Sequence, residues 1–232
     1  MPRLRIDVWS DIACPWCYVG KRRLEQALAS FPQAQSVDVV WRAFELNPAA
    51  PREAEAGRYA ERLSKKYGTS VSEAQRRIDH LVEVARGDGL ALDFERIRPG
   101  NTFDAHRVVH YAAELGKQDA VKERLLRGYL CEGAAIGDRG VVLQLASDAG
   151  LDAERVSGIL SSEDYGREVR ADEAEAQQLG IHGVPFFVLG GRYALSGAQP
   201  AELIGRALQQ AWSELAAPID YAEGAACGPE GC

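Results

Sequence analysis

Leu4, Ile6 and Val8 alternate with Arg3, Arg5 and Asp7, the period-two pattern of a β-strand with one buried face. A second strand is predicted from Val37 to Phe44. Between them, Val19, Leu24, Ala27, Leu28 and Phe31 recur at mostly helical spacing in a segment from Tyr18 to Phe31. From about Pro51 the composition turns to Ala, Glu, Arg and Gln, and the pattern stays helical to about Gly180. Ser70-Val71-Ser72-Glu73 has the form of a capping box and opens a helix that carries Ile78, Leu81, Val82 and Ala85 before Gly87 and Gly89 stop it. Further helices are predicted over Thr102 to Leu115, Gln118 to Cys131, Gly140 to Ala149, Asp152 to Leu160 and Tyr165 to Leu179. Strand character returns at Val184 to Leu189, Gly190-Gly191 supplies a hairpin turn into Arg192 to Leu195, and an amphipathic helix runs from Pro200 to about Leu215. The expected organisation is α/β: residues 1–50 and 180–216 form one discontinuous domain, 51–179 a helical insertion, and 217–232 a flexible C-terminal tail.

A chain of 232 residues is long enough to bury a core without disulfide bridges, and its net charge of -7 gives no basic footprint for nucleic acid or an anionic membrane surface. The N-terminus alternates charged and apolar residues where a signal peptide needs an unbroken apolar stretch, and no window reaches the roughly 18 apolar residues of a membrane span. A cytoplasmic location is therefore expected. In that reducing compartment structural disulfides are uncommon, so paired cysteines suggest redox chemistry or metal.

Of five cysteines, Cys14 and Cys17 form one close pair, Cys227 and Cys232 another, and Cys131 stands alone. Cys14-Pro15-Trp16-Cys17 falls where the first strand meets the first helix. There the backbone N–H groups and helix dipole favour a thiolate at Cys14, and the spacing lets Cys17 attack a mixed disulfide. Such a pair could also be half of a zinc site, but no second knuckle of Cys or His accompanies it, so dithiol chemistry ranks above metal. Cys14 is expected to be the exposed thiol of low pKa and Cys17 the shielded one. Gly183-Val184-Pro185-Phe186 places a proline at the head of a good strand, which suggests an edge position or a cis bond. Cys227-Gly228-Pro229-Glu230-Gly231-Cys232 is a turn-forming sequence able to bring its two cysteines within disulfide range. Cys131, at a helix end, reads as a small buried apolar residue. Trp9, Trp41, Phe44, Phe186 and Phe187 are expected in the core, with Trp16 exposed beside the dithiol.

Four segments together resemble the DsbA-like superfamily, and within it the FrnE-type branch, related to the 2-hydroxychromene-2-carboxylate isomerases and the kappa-class glutathione transferases. They are Ser10-Asp11-Ile12-Ala13-Cys14-Pro15-Trp16-Cys17-Tyr18-Val19-Gly20-Lys21, Trp41-Arg42-Ala43-Phe44-Glu45-Leu46-Asn47-Pro48, Asn101-Thr102-Phe103-Asp104-Ala105-His106-Arg107, and Gly183-Val184-Pro185-Phe186-Phe187 with Leu195-Ser196-Gly197-Ala198-Gln199. The resemblance implies a thioredoxin fold with a large inserted α-helical domain. It further implies Cys14 as attacking thiolate, Cys17 as resolving thiol and Pro185 as a cis-proline facing them, with the backbone at Val184 pairing with substrate beside Trp16. Asn101 and His106 are brought toward the cleft, His106 as a substrate-side or thiolate-tuning group or simply as a partly exposed helix residue. A tail pair like Cys227 and Cys232 occurs in some relatives of this branch and suggests an auxiliary redox centre.

Two departures matter. Trp16 stands where the most oxidising relatives carry His, so a strongly oxidising protein is not implied. Val8 stands where many thioredoxin-fold enzymes hold a buried carboxylate; Asp11 is an alternative proton acceptor, although a solvated turn or cap role suits it better. His80 and His110 read as surface or interdomain residues, and His182 as near the site only through its proximity to Pro185. The function expected is a thiol:disulfide oxidoreductase or isomerase acting on protein or low-molecular-weight disulfides, glutathione among them, with no cofactor, metal, nucleic-acid or membrane partner; the oligomeric state stays open. A glutathione-dependent transferase or isomerase, and a holdase using the interdomain cleft, are the alternatives.

Overall fold

The computed structural model describes residues 3–52 and 57–216. Strand β1 (Leu4–Ser10) leads into helix α1 (Pro15–Ala29), and a short 3-10 turn (Ala34–Ser36) returns the chain to β2 (Val37–Ala43). Seven helices follow before the sheet resumes: α2 (Tyr59–Tyr67), α3 (Val71–Gly87), α4 (Phe103–Glu114), α5 (Gln118–Leu130), α6 (Arg139–Asp148), α7 (Ala153–Ser161) and α8 (Gly166–Gln178). The hairpin β3 (Phe186–Leu189) and β4 (Tyr193–Ser196) and helix α9 (Ala201–Ala216) complete the described fold. Residues 217–232, with Cys227 and Cys232, lie outside the described residues.

The sheet order is β2-β1-β3-β4. β1 and β2 run parallel with Val8 opposite Trp41, as a helical crossover requires, and β1 and β3 run antiparallel with Val8 opposite Phe187. Gly190 and Gly191 both have positive φ, 59° and 68°, which is what a tight turn matched to strand twist needs. Leu4, Ile6 and Val8 bury into a core shared with Leu24 of α1 and with Ile204 and Leu208 of α9, and Phe31 meets Trp212 edge-on at 6.1 Å.

The expectation of a single buried face on β1 fails at its C-terminal end. Trp9, on the opposite face, is also buried, packed on Ala176 and Ile181, and its Nε1 donates to the Asp172 carbonyl at 3.0 Å. Helix α8 covers that face, a packing between segments distant in sequence that β1's local pattern does not contain. Phe44 and Phe186 are only partly buried beside the same cluster.

β2 is an edge strand whose exposed backbone groups would otherwise need solvent. The insertion supplies partners instead. Gln118 accepts from the Trp41 N–H at 2.9 Å and donates to its carbonyl at 3.0 Å, and Asp172 accepts from the Ala43 N–H at 2.8 Å. A second clamp joins α1 to α5, where buried Lys21 meets Asp119 and Glu123, each at 3.1 Å, and the Tyr18 hydroxyl donates to Glu123 at 2.6 Å.

Gln118→Ala removes both of its bonds and strands a buried N–H and carbonyl. We expect it to lower stability by roughly 2–4 kcal/mol in urea unfolding; a loss under ~0.5 kcal/mol would show that the edge is solvated instead.

Candidate active site

α1 begins at Pro15, so the cysteine pair stands at the start of the first helix as expected, with Cys14 as its extended N-cap residue. Proline lacks an N–H where the first turn has no helical acceptor for one, so the helix extends back through the cysteine pair. The Cys17 N–H donates to the Cys14 carbonyl at 3.0 Å. Cys17 is fully buried, and Cys14 is also buried, at 5% exposure. This corrects the expectation of an exposed Cys14, although its side chain does line a cavity.

The cause is the loop before β3. The Val184-Pro185 peptide is cis, and the Cys14 thiol donates to the Val184 carbonyl at 3.5 Å. β3 lies between β1 and β4, so Pro185 heads an inner strand and not an edge. Gly20 permits the approach of α1 to this loop, because a Cβ there would stand 2.8 Å from Pro185 Cγ and 3.3 Å from the Phe187 ring.

Cys14 does not have the depressed pKa expected of it. Hydrogen bonding with the Cys17 thiol, together with burial, pushes the Cys14 thiol well up, against a smaller downward pull from the Cys17 backbone N–H. The helix terminus favours the anion, but the closed loop denies it water.

Two buried polar groups stand near the pair. Asp11 is 1% exposed and accepts from the Leu46 N–H at 2.8 Å and the Ala13 N–H at 3.2 Å; His106 Nε2 lies 3.3 Å from its carboxylate. Burial would raise the Asp11 pKa, but these bonds hold it below its ordinary value, while burial lowers that of His106 more than Asp11 raises it. Asp11 is therefore a buried charge and not the solvated turn residue expected. His106, also 1% exposed, lies behind Asp11 and does not line the cavity.

The second group is Lys122, which the sequence reading missed. Its side chain is fully buried, its Nζ donates to the Ser10 carbonyl at 3.1 Å, and burial lowers its pKa to about 8 against the opposing pull of Cys17, Asp11 and Cys14. The signal was present: Lys122 shares the buried face of α5 with Gln118, Val121, Leu125, Leu126 and Tyr129.

The cavity of about 1030 Å³ opens from Cys14, Pro15 and Trp16 toward α2 and α3. Trp16 is 37% exposed at its mouth. Asn101 does not line it; its side chain donates to Glu45 at 3.2 Å and to the Pro48 carbonyl at 3.1 Å, tying α4 to the loop after β2. His110 is turned to Asp172 at 2.9 Å, His80 reaches the cavity wall, and His182 is exposed. Cys131 is only partly buried, at the end of α5. Among the described residues no cluster of metal-ligating side chains occurs, and no helix is long and apolar enough to cross a membrane.

A dithiol at the head of a helix, facing a cis-proline on a four-stranded sheet interrupted by helices, defines a thioredoxin-fold redox protein. The chain belongs to the DSBA-like thioredoxin domain family, which matches residues 5–209. It is 46% identical to a probable DsbA oxidoreductase, SCO1869, from Streptomyces coelicolor, with a TM-score of 0.87 over 99% of this chain and 98% of that one. It is 28% identical to the uncharacterized protein YwbO of Bacillus subtilis over 81% of this chain and 87% of that protein. The cytosolic disulfide reductase DsbM of Pseudomonas aeruginosa shares the fold, with 20% identity and a TM-score of 0.58 over 91% of this chain and all of that one.

The pKa shifts of Asp11 and His106 set a pH dependence. Both are depressed in the fold, from ordinary values of 3.8 and 6.5, so the unfolded chain binds more protons in acid. Their contribution is full above the ordinary histidine value and is lost as pH falls, first through His106 and then through Asp11. His106→Gln should therefore lose less stability than the wild-type chain between about pH 7 and pH 5 in urea titrations. Equal losses would contradict it.

Proposed function

We propose that the protein is a thiol:disulfide oxidoreductase that works as a reductase or isomerase. The observation that carries this reading is the Cys14 sulfur held 3.5 Å from the Val184 carbonyl, on the wall of a cavity, with Cys17 fully buried beside it. Cys14, as thiolate, attacks one sulfur of a substrate disulfide and releases the other as a thiol. Cys17 then attacks Cys14, the mixed disulfide breaks, and the second substrate thiol leaves. Two electrons and two protons pass from the dithiol to the substrate. Pro185 and the Val184 carbonyl shape the face along which the substrate lies, and Trp16 borders it. Because two cysteines are present, electron exchange suits the site better than activation of a single thiol for group transfer.

Direction follows from thiolate stability. A strong oxidant is one whose reduced form is stabilised, chiefly as thiolate. Here the reduced pair is shielded from water, its Cys14 thiol is raised in pKa, and Trp16 adds no imidazole contact. These features favour donation of electrons. We assign this chemistry to the cytosol, where thiols are kept reduced.

Lys122 handles the proton of Cys17 in this scheme. With a pKa near 8, about a tenth of it is neutral near pH 7 and can accept that proton. Asp11 and His106 act as positioning residues for the loop that carries Cys14.

Cys17→Ser should accumulate a mixed disulfide between Cys14 and substrate, detected as an added mass lost on reduction, whereas Cys14→Ser should form none at this site. Trapping that persists in Cys14→Ser would overturn the assignment. Lys122→Met should slow resolution of the mixed disulfide about tenfold or more and remove its dependence on a group titrating near pH 8, while raising stability at neutral pH by roughly 1–3 kcal/mol because a buried charge is gone. An unchanged pH profile would exclude Lys122 from proton handling.

A further inference from the structure

The chain carries a net charge of -7, yet the cavity wall built from α2 and α3 is cationic. Arg62, Lys66, Arg76 and Arg77 all line it, with Glu73 as the acidic residue on that wall. Glu73 is taken by Arg77, one turn on, at 2.6 Å. Asp11, at the inner end, is engaged by His106 and two backbone N–H groups. Arg62 stacks on Tyr59 and donates to the Gly57 carbonyl. Arg76 has no ion pair or hydrogen bond among the described residues, and Lys66 makes only a contact of 5.7 Å with the Tyr67 ring. Positive charge is thus left over at the outer end.

The inner surface has a different chemistry. Leu63, Ile78, Leu81 and Phe94 give it an apolar middle, and the phenol rings of Tyr59 and Tyr129 border the same space. Tyr129 is 2% exposed, and neither phenolic hydroxyl makes a hydrogen bond among the described residues. Both hydroxyls are therefore open to a partner entering the cavity. Burial raises the Tyr59 pKa to about 12, so this hydroxyl stays protonated and able to donate. A volume of about 1030 Å³ is that of a small-molecule site.

We infer that the cavity selects low-molecular-weight disulfides with an apolar body and an anionic arm, the sulfur delivered to Cys14, the body laid along Leu63, Ile78 and Phe94, and the carboxylate, sulfonate or phosphate met by Lys66 and Arg76. The inference rests on the dithiol reading and names the substrate of that same site. The reaction balances as before: the dithiol becomes the Cys14–Cys17 disulfide, and the small disulfide takes two electrons and two protons to leave as two thiols.

The test uses the reduced full chain and three probes: the dianionic 5,5′-dithiobis(2-nitrobenzoate), the neutral 2-hydroxyethyl disulfide and the cationic cystamine. Each single-turnover rate is divided by that of the same probe with dithiothreitol, which removes intrinsic reactivity. The normalised rates should fall in the order anionic, neutral, cationic, and added salt should compress the spread. Reversal of both free cations, Lys66→Glu with Arg76→Glu, should lower the anionic rate about tenfold relative to the neutral one and raise the cationic one relative to it. Equal normalised rates in the wild-type chain, or the same order after charge reversal, would overturn the inference, as would reduction of insulin faster than any of the three. Failure of the wild-type chain to reduce even the neutral probe would overturn the dithiol reading itself.

Discussion

Gln118 lends its amide to both backbone groups of Trp41, and one helical turn later Lys122 reaches the Ser10 carbonyl at the end of β1. A single face of α5 thus completes the open edge of the sheet and sets a charge close to the dithiol. The sheet edge needs partners for its backbone, and the lysine needs exclusion from water to have its pKa lowered. Both needs are met only when α5 is docked, with Lys21, Asp119 and Glu123 closing the same contact from the side of α1. In the proposed mechanism the helical insertion is therefore part of the chemistry and not a decoration on a thioredoxin unit.

On the opposite side of the cysteines the controlling contact is the loop at Val184 and Pro185. Its closeness depends on Gly20, since any side chain there would drive the proline away from α1. Closure shields Cys14, and shielding opposes the helix terminus: one favours the thiol, the other the thiolate. The thiol prevails in the reduced pair. In the proposed reading that balance favours donation of electrons, with the substrate reaching the sulfur through the cavity beside Trp16.

Much of this was legible in the sequence because it was written locally. The alternation in Leu4 to Val8, the cap at Ser70, the glycine pair at 190 and 191 and the Cys14-to-Cys17 spacing each act within a few residues, and the elements they predict are present. What was misread depends on contacts across the chain. The second buried face at the end of β1 is covered by α8, whose Asp172 lies 163 residues after Trp9, and Asp11 is turned inward by the Leu46 N–H and His106. Cys14 is covered by a loop 170 residues away. Asn101 was placed in the cleft, but Glu45 and Pro48 hold it as a tether. Lys122 was overlooked because a lysine is ordinarily read as solvated, although its position on an apolar helix face marked it as an exception.

The central claim is that Cys14 and Cys17 exchange electrons as a pair that favours giving them up. Equilibration of the chain against reduced and oxidised glutathione over a range of ratios, quenched by alkylation and read by mass, measures this directly. The account predicts one reversible Cys14–Cys17 disulfide with a potential more negative than about -180 mV, the value typical of protein disulfide isomerase. A potential near -120 mV, or no disulfide between these two cysteines at any ratio, would contradict it.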